Sequence, residues 1–250
     1  MPSFMSDNVN ISYEVHGEGE PILLIHGFAS NVRINWQSTG WIDLLAKAGR
    51  QVIAIDNRGH GNSDKPHDPV RYTSPEMARD SSRLIAHLGH EKVDVMGYSM
   101  GARLSALLGI HHAEQVRSLV LGGLAGNMIS GVIGAEEIVA ALQAASLAEA
   151  RGIQGRAFRA FAEQAGSDLE ALAACMASQR SLISEDELAQ IRVPTLVVAG
   201  DEDELAGSVN ALVDAIPFAE GIVLAGKDHM KAVGDKTYKL SVLDFLDRRP

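Results

Sequence analysis

One cysteine, Cys175, is all that the chain carries, so no internal disulfide can hold the fold and its stability must come from packing. Its helical surroundings suit a small core residue. Neither a His-x-x-x-His nor a paired-Cys pattern occurs, which argues against a metal centre. No hydrophobic run approaches the length of a membrane span, and Met1 to Asn8 offers neither the charged lead nor the apolar stretch of a secretion signal. The expected setting is therefore the cytoplasm. Positive charge is scarce as well: 22 Lys and Arg stand against 32 Asp and Glu, a net charge of −10. Nucleic acid and anionic membrane are thus not expected as partners, which leaves a small-molecule substrate. Oligomeric state is not legible. No Pro- or Ser-rich linker divides the 250 residues, so one domain carrying an insertion is expected.

What is present alternates. Residues 3 to 15 place Val9, Ile11, Tyr13 and Val15 on one side, predicting an antiparallel strand at a sheet edge. Pro21 to Ile25 is apolar on both faces, as a buried parallel strand must be. Trp36 to Gly49 predicts a helix, Gln51 to Asp56 a strand, and Pro75 to Gly89 a helix opened by proline. The strand from Val93, the helix from Ala102 and the strand Val116 to Leu121 continue the rhythm. This order predicts an α/β fold, a mostly parallel central sheet of about eight strands with helices on both faces. Residues 124 to 185 then break the pattern, being Ala-rich and helical without a convincing strand. They are read as a small helical lid inserted in a core made of residues 1–123 and 186–250. Pro194 to Ala199, Leu205 to Ile216, Phe218 to Leu224 and Asp235 to Leu246 complete the core as strand, helix, strand and helix.

The chemistry centres on Gly97-Tyr-Ser-Met-Gly101, where a strand gives way to a helix. Glycines at both ends let the backbone turn sharply, so Ser99 can be held with its hydroxyl thrust outward. The helix that follows presents the N–H of Met100, unpaired within the helix, to a developing oxyanion. A serine hydroxyl needs a base, itself oriented by a third group. In an open parallel sheet these groups come from loops at the carboxyl ends of the strands. Of nine histidines in the chain, His229 alone follows the final strand, which makes it the candidate base. Acids are crowded after Gly200, where Asp201, Glu202, Asp203 and Glu204 stand in a row. Charge alone does not choose among them. The strand ending at Leu121 offers no carboxylate before Glu136, which removes the competing site.

These motifs, in this order, resemble the α/β-hydrolase superfamily, and the likeness covers nearly the whole chain apart from the insertion. They are His26-Gly27-Phe28, Asp56 to Asp64, Gly97 to Gly101, and Gly200-x-x-Asp203 with Asp228-His229. The resemblance implies that Asp203, three residues past its glycine, is the acid. It also implies an oxyanion hole from the backbone N–H groups of Phe28 and Met100, and no cofactor or metal. The expected activity is that of a serine hydrolase of the esterase or lactonase kind, acting through an acyl-enzyme. A serine nucleophile argues against the dehalogenase and epoxide-hydrolase branches. A perhydrolase or cofactor-free haloperoxidase, a carbon–carbon bond hydrolase, and a slow or non-catalytic ligand receptor remain alternatives on the same site.

The remaining polar residues read as structural. Arg58 is expected to pair with Asp56 or Asp64 inside its loop, and His60 to pack there. Trp36 and Trp41 read as packing residues, and His111 and His112 as cations favoured at a helix end. Leu124 to Gly134 supplies Met128, Ile129, Val132 and Ile133, which with Phe28 predict a mostly apolar pocket. Arg151, Arg156 and Arg159 read as solvated, with recognition of a substrate carboxylate as the alternative. Glycines spread between 126 and 155 suggest a mobile lid.

Overall fold

Period-two burial on both sides of a strand demands cover on both faces. A computed structural model, described over residues 1–131, 134–178 and 182–249, supplies it. Eight strands, β1 (Ser3–Ser6), β2 (Val9–His16), β3 (Glu20–Ile25), β4 (Arg50–Ile55), β5 (Val93–Tyr98), β6 (Val116–Gly122), β7 (Thr195–Gly200) and β8 (Ala219–Leu224), form one sheet. Their order is β1-β2-β4-β3-β5-β6-β7-β8. Strand β2 runs antiparallel to β1 and β4, and every other pairing is parallel. The α/β fold with a mostly parallel sheet is thus borne out. The first stretch is two strands rather than one, because Asp7 and Asn8 adopt positive φ and turn the chain back on itself. The edge is therefore β1, and β2 lies inside.

Alternate residues of the central strands feed two cores. Leu23, Ile25, Ile53, Ile55, Val95, Leu119, Leu121 and Val197 face α2 (Ser74–His87) and α3 (Met100–His111). Ile22, Leu24, Val52, Ala54, Met96, Val120 and Leu196 face α1 (Trp41–Lys47) and α11 (Lys236–Arg248). The helix expected from Trp36 is interrupted: a π-helical turn covers Arg33–Gln37, and α1 begins only after Gly40, whose φ is 77°. Trp36 and Trp41 are fully buried in the second core, and the Trp41 indole donates to the Val233 carbonyl at 2.7 Å.

Between the neighbouring strands β6 and β7, helices α4 (Asn127–Ser130), α5 (Ala135–Gln143), α6 (Ile153–Gln164), α7 (Leu169–Ala177) and α8 (Glu185–Leu188) occur with no strand among the described residues. Gly155 allows α6 to approach α5 closely, since a Cβ there would meet the Glu137 carbonyl at 2.8 Å. Two short helices, α9 (Val209–Ala215) and α10 (His229–Ala232), complete the chain. Helix α9 starts later than the expected Leu205, because Asp203 ties down the Leu205 and Ala206 N–H groups and Ser208 caps the helix. Among the described residues no helix is long and apolar enough to cross a membrane.

Candidate active site

The sharp corner expected at Ser99 is present. Its φ of 56° and ψ of −116° lie where few non-glycine residues sit. The turn persists because its surroundings leave no other course: the Ser99 N–H donates to the Gly122 carbonyl at 2.7 Å. A Cβ on Gly97 would meet the Gly101 carbonyl at 2.1 Å, and one on Gly101 the Ile25 carbonyl at 1.9 Å. Glycine is therefore required on both sides. Ser99 occupies the N-cap position of α3 with no side-chain capping bond, so the Met100 N–H heads a helix and lacks an acceptor within it.

Three loops at the carboxyl ends of β5, β7 and β8 then converge. The Ser99 hydroxyl lies 3.0 Å from His229 Nε2. On the other side of the ring, His229 Nδ1 donates to Asp203, 2.8 Å from Oδ2 and 3.0 Å from Oδ1. With Nδ1–H committed to a carboxylate, Nε2 is left to accept the serine proton. Asp203 is buried, and Oδ1 also accepts from the Leu205 and Ala206 N–H groups at 3.1 Å each. The other three acids are exposed, and Asp201 serves its loop by accepting from the Gly226 N–H at 2.7 Å. Only Asp203, among the described carboxylates, reaches the imidazole.

The loop after β3 carries Phe28 beside this site. Asn35 Oδ1 accepts from the Gly27 N–H at 3.1 Å, and Ala29 turns with a φ of 59°. Beneath it, His26 Nδ1 donates to the Gly27 carbonyl at 2.8 Å while Nε2 accepts from the Asn57 N–H at 3.0 Å. Complete burial pushes the His26 imidazole below its usual pKa, so it stands neutral as a brace. Tyr98 is a second brace that sequence reasoning missed. Its hydroxyl donates to the His229 carbonyl at 2.5 Å, and its ring lies 5.4 Å from the imidazole. Burial raises its pKa well above the usual range, keeping it a donor.

Ser99 opens into a cavity of about 610 Å³ lined by Phe28, Leu124, Val139, Phe158, Met176 and Leu205, among others. It is mostly apolar, but the expected lining is corrected in part. Met128 is fully buried in the core and Ile129 packs against it, while Val132 and Ile133 lie outside the described residues. The polar lining includes Ser74, Arg103 and Ser178, all three buried. Arg103 carried a signal in the sequence, being the one Lys or Arg in a largely apolar helix.

The other assignments separate cleanly. Arg58 pairs with neither Asp56 nor Asp64 but with Asp80, through Nε to Oδ2 and Nη2 to Oδ1 at 2.7 Å each. Asp56 instead accepts from the Val32 and Asn62 N–H groups at 2.8 Å. His60 is buried and donates to the Arg58 carbonyl at 2.9 Å. Arg159 is not solvated: its guanidinium donates to the carbonyls of Ala141, Leu142 and Ala144, closing the end of α5. Arg151 and Arg156 are exposed as expected, Arg156 also donating to the Leu147 and Ala150 carbonyls. Burial pushes the His112 imidazole below its usual value, so it accepts from the Ser82 hydroxyl at 3.2 Å instead of standing as a helix-end cation. Cys175 is buried in the first core. No cluster of three or more His, Cys, Asp or Glu suited to a metal ion occurs among the described residues.

Known proteins share this arrangement of elements. The alpha/beta hydrolase fold family matches residues 20–130. A 2-hydroxymuconate semialdehyde hydrolase of Pseudomonas putida is 37% identical over 110 residues, which are 44% of this chain and 38% of that protein. A non-heme chloroperoxidase of Kitasatospora aureofaciens is 29% identical over 277 aligned positions, covering 97% of this chain and 98% of the other. The solved structure of an N-acyl homoserine lactone degrading enzyme superposes with a TM-score of 0.76 at 26% identity, covering 97% of this chain and 99% of that one. The chain spans about two-fifths of the length of several curated relatives that it matches.

Proposed function

Since this chain belongs to the α/β-hydrolase fold superfamily, we propose that it is a serine hydrolase opening a small carboxylic ester or lactone through an acyl-enzyme. The observation that carries this reading is the unbroken line of contacts from the Ser99 hydroxyl through His229 to buried Asp203, at the mouth of a largely apolar cavity.

In this mechanism Ser99 Oγ attacks the carbonyl carbon while its proton passes to His229 Nε2. Asp203 holds the ring in the tautomer that can receive it and stabilises the imidazolium. The carbonyl oxygen becomes an oxyanion, held by the Met100 and Phe28 N–H groups. Collapse breaks the carbon–oxygen bond, and the leaving alkoxide takes the proton from His229. Water then loses a proton to the same nitrogen, attacks the acyl carbon and releases the acid, restoring Ser99. Because both oxyanion donors are backbone groups, the side chain of Phe28 shapes the pocket instead of stabilising charge. Helices α4 to α7, within the insertion 124–185, act as the lid that gives the cavity its roof.

Steady hydrolysis of p-nitrophenyl butyrate tests the proposal. Ser99→Ala is expected to remove turnover by a factor of about 10⁴ or more while leaving the fold intact. Equal turnover in the two proteins would overturn it, and ligand binding without turnover in either would favour a receptor. The full-length likeness to a chloroperoxidase favours one second reading, in which peroxide replaces water at the acyl-enzyme. Formation of peracid when peroxide is added to a short acyl ester would reveal that activity.

A further inference from the structure

Helix α3 is buried from Met100 to Gly109, and along that stretch every side chain but two is apolar or absent. Ser105 is satisfied locally, donating to the Gly101 carbonyl at 2.8 Å. The other polar residue is Arg103, which is 6% exposed and lines the cavity. Arg103 lies four residues past Ser99, its backbone N–H donating to the Ser99 carbonyl at 3.3 Å, and both residues line the cavity. Side chains on a helix lean toward its N-terminus, the end of α3 at which the reacting serine stands. An arginine is charged at every working pH.

A second observation comes from another element. Ser178, just past α7, lines the same cavity at 6% exposure, and its hydroxyl has no hydrogen-bond partner among the described residues. A buried hydroxyl left so is costly unless something in the cavity meets it. The lid arginines that sequence reading offered for an anionic substrate are engaged elsewhere or exposed, as described above. Among the described residues Arg103 is the only Lys or Arg lining the cavity, and the single carboxylate there, Glu136, is exposed in the first turn of α5.

From this placement we propose that Arg103 and Ser178 form a carboxylate subsite, so that the preferred substrate is an ester or lactone bearing a carboxylate a few carbons from the scissile carbonyl. This rests on the hydrolase reading above. The guanidinium supplies the charge and the fork of donors that a carboxylate fits, and the hydroxyl adds a further donor. Phe28, Phe158 and Val139 line the cavity as apolar wall for the carbon chain between the two ends.

The experiment compares kcat/KM for p-nitrophenyl hemiglutarate with that for p-nitrophenyl butyrate, which lacks the charge. The wild-type ratio is expected to exceed ten, to fall at least tenfold in Arg103→Gln, and to recover in part in Arg103→Lys, with the change mostly in KM. Glutarate is expected to inhibit butyrate hydrolysis competitively, and several-fold less well in Ser178→Ala, a measurement that stands even if Arg103→Gln does not fold. A wild-type ratio near one, or glutarate inhibition that Ser178→Ala leaves unaltered, would overturn the subsite while leaving the hydrolase reading intact. Failure to turn over either ester would instead count against the hydrolase itself. Calorimetric binding of glutarate, with its expected loss in Arg103→Gln, would then decide the subsite alone.

Discussion

At the scale of single residues, two aspartates two positions apart have different fates because one faces inward and one outward. Asp203 is buried beneath His229 and anchored by two backbone N–H groups, whereas Asp201 is exposed and holds only its own loop. If the mechanism proposed above operates, Asp203→Asn removes the charge that stabilises the imidazolium and presents an amide that favours the wrong tautomer. Its kcat is expected to fall by about 10³ to 10⁴, while Asp201→Asn stays within a few-fold of wild type. Equal losses in p-nitrophenyl butyrate turnover would remove the distinction. Sequence alone gave four adjacent acids without a choice, and the resemblance selected the one that the structure brings to the ring. Arg58 shows the opposite case. Nearby Asp56 and Asp64 were the visible partners, but backbone N–H groups claim them, and the true partner stands on α2, at Asp80. Pairing across a fold is not written in spacing.

At the scale of elements, legibility followed periodicity. The buried strands declared themselves because both faces are apolar, but breaks set by local backbone conformation did not. Asp7-Asn8 and Gly40 divide segments whose hydrophobic pattern runs on across the break. The helices between β6 and β7 were visible as helices, yet their seams with the core depend on polar contacts. One such seam joins the loop before α2 to the start of α7, where His67 meets Asp168 at 3.1 Å and Glu170 at 3.2 Å. The hydrogen bond to Asp168 raises the His67 pKa above its ordinary value. Asp168 is held below the usual carboxylate range: partial burial opposes this, but the Ala171 N–H and His67 outweigh it. A histidine with a raised folded-state pKa stabilises the fold below its unfolded pKa, and that gain is lost as pH rises through the folded value. A depressed aspartate contributes above its unfolded pKa and loses its contribution as pH falls through the folded one. The pair therefore acts between these limits, in mildly acidic solution. The melting temperature of wild type is expected to exceed that of His67→Ala at about pH 5.5 and to match it at about pH 8.5. A gap independent of pH would assign its origin to something other than this ion pair.

At the scale of the whole molecule, the two ends of β5 serve different purposes. Its carboxyl end delivers Ser99, and near its amino end lies Asp94, only 1% exposed. Five residue steps along the strand separate them, about 16 Å. Asp94 receives the Ser118 hydroxyl at 2.7 Å and the Arg249 guanidinium at 2.5 Å, with Arg50 and Arg117 at 3.8 and 3.7 Å. Arg249 also reaches Glu20 at 2.7 Å, so the end of the chain is clamped to the centre of the sheet. Removing a partner from a fully buried ion pair costs about 3–5 kcal/mol. Here two other arginines stay near Asp94, so Arg249→Ala is expected to cost about 2 kcal/mol, or about 4 to 8 °C in melting temperature for a chain of this size. The stranded carboxylate is the cause, so adding Asp94→Asn should recover part of the loss. Because the clamp lies at the amino ends of the strands, away from Ser99 at their carboxyl ends, hydrolysis of p-nitrophenyl butyrate at 25 °C should stay within about twofold of wild type. A drop in activity at unchanged melting temperature would show instead that the two ends of β5 are coupled, and that the sheet does not insulate its chemistry from the charges that hold it together.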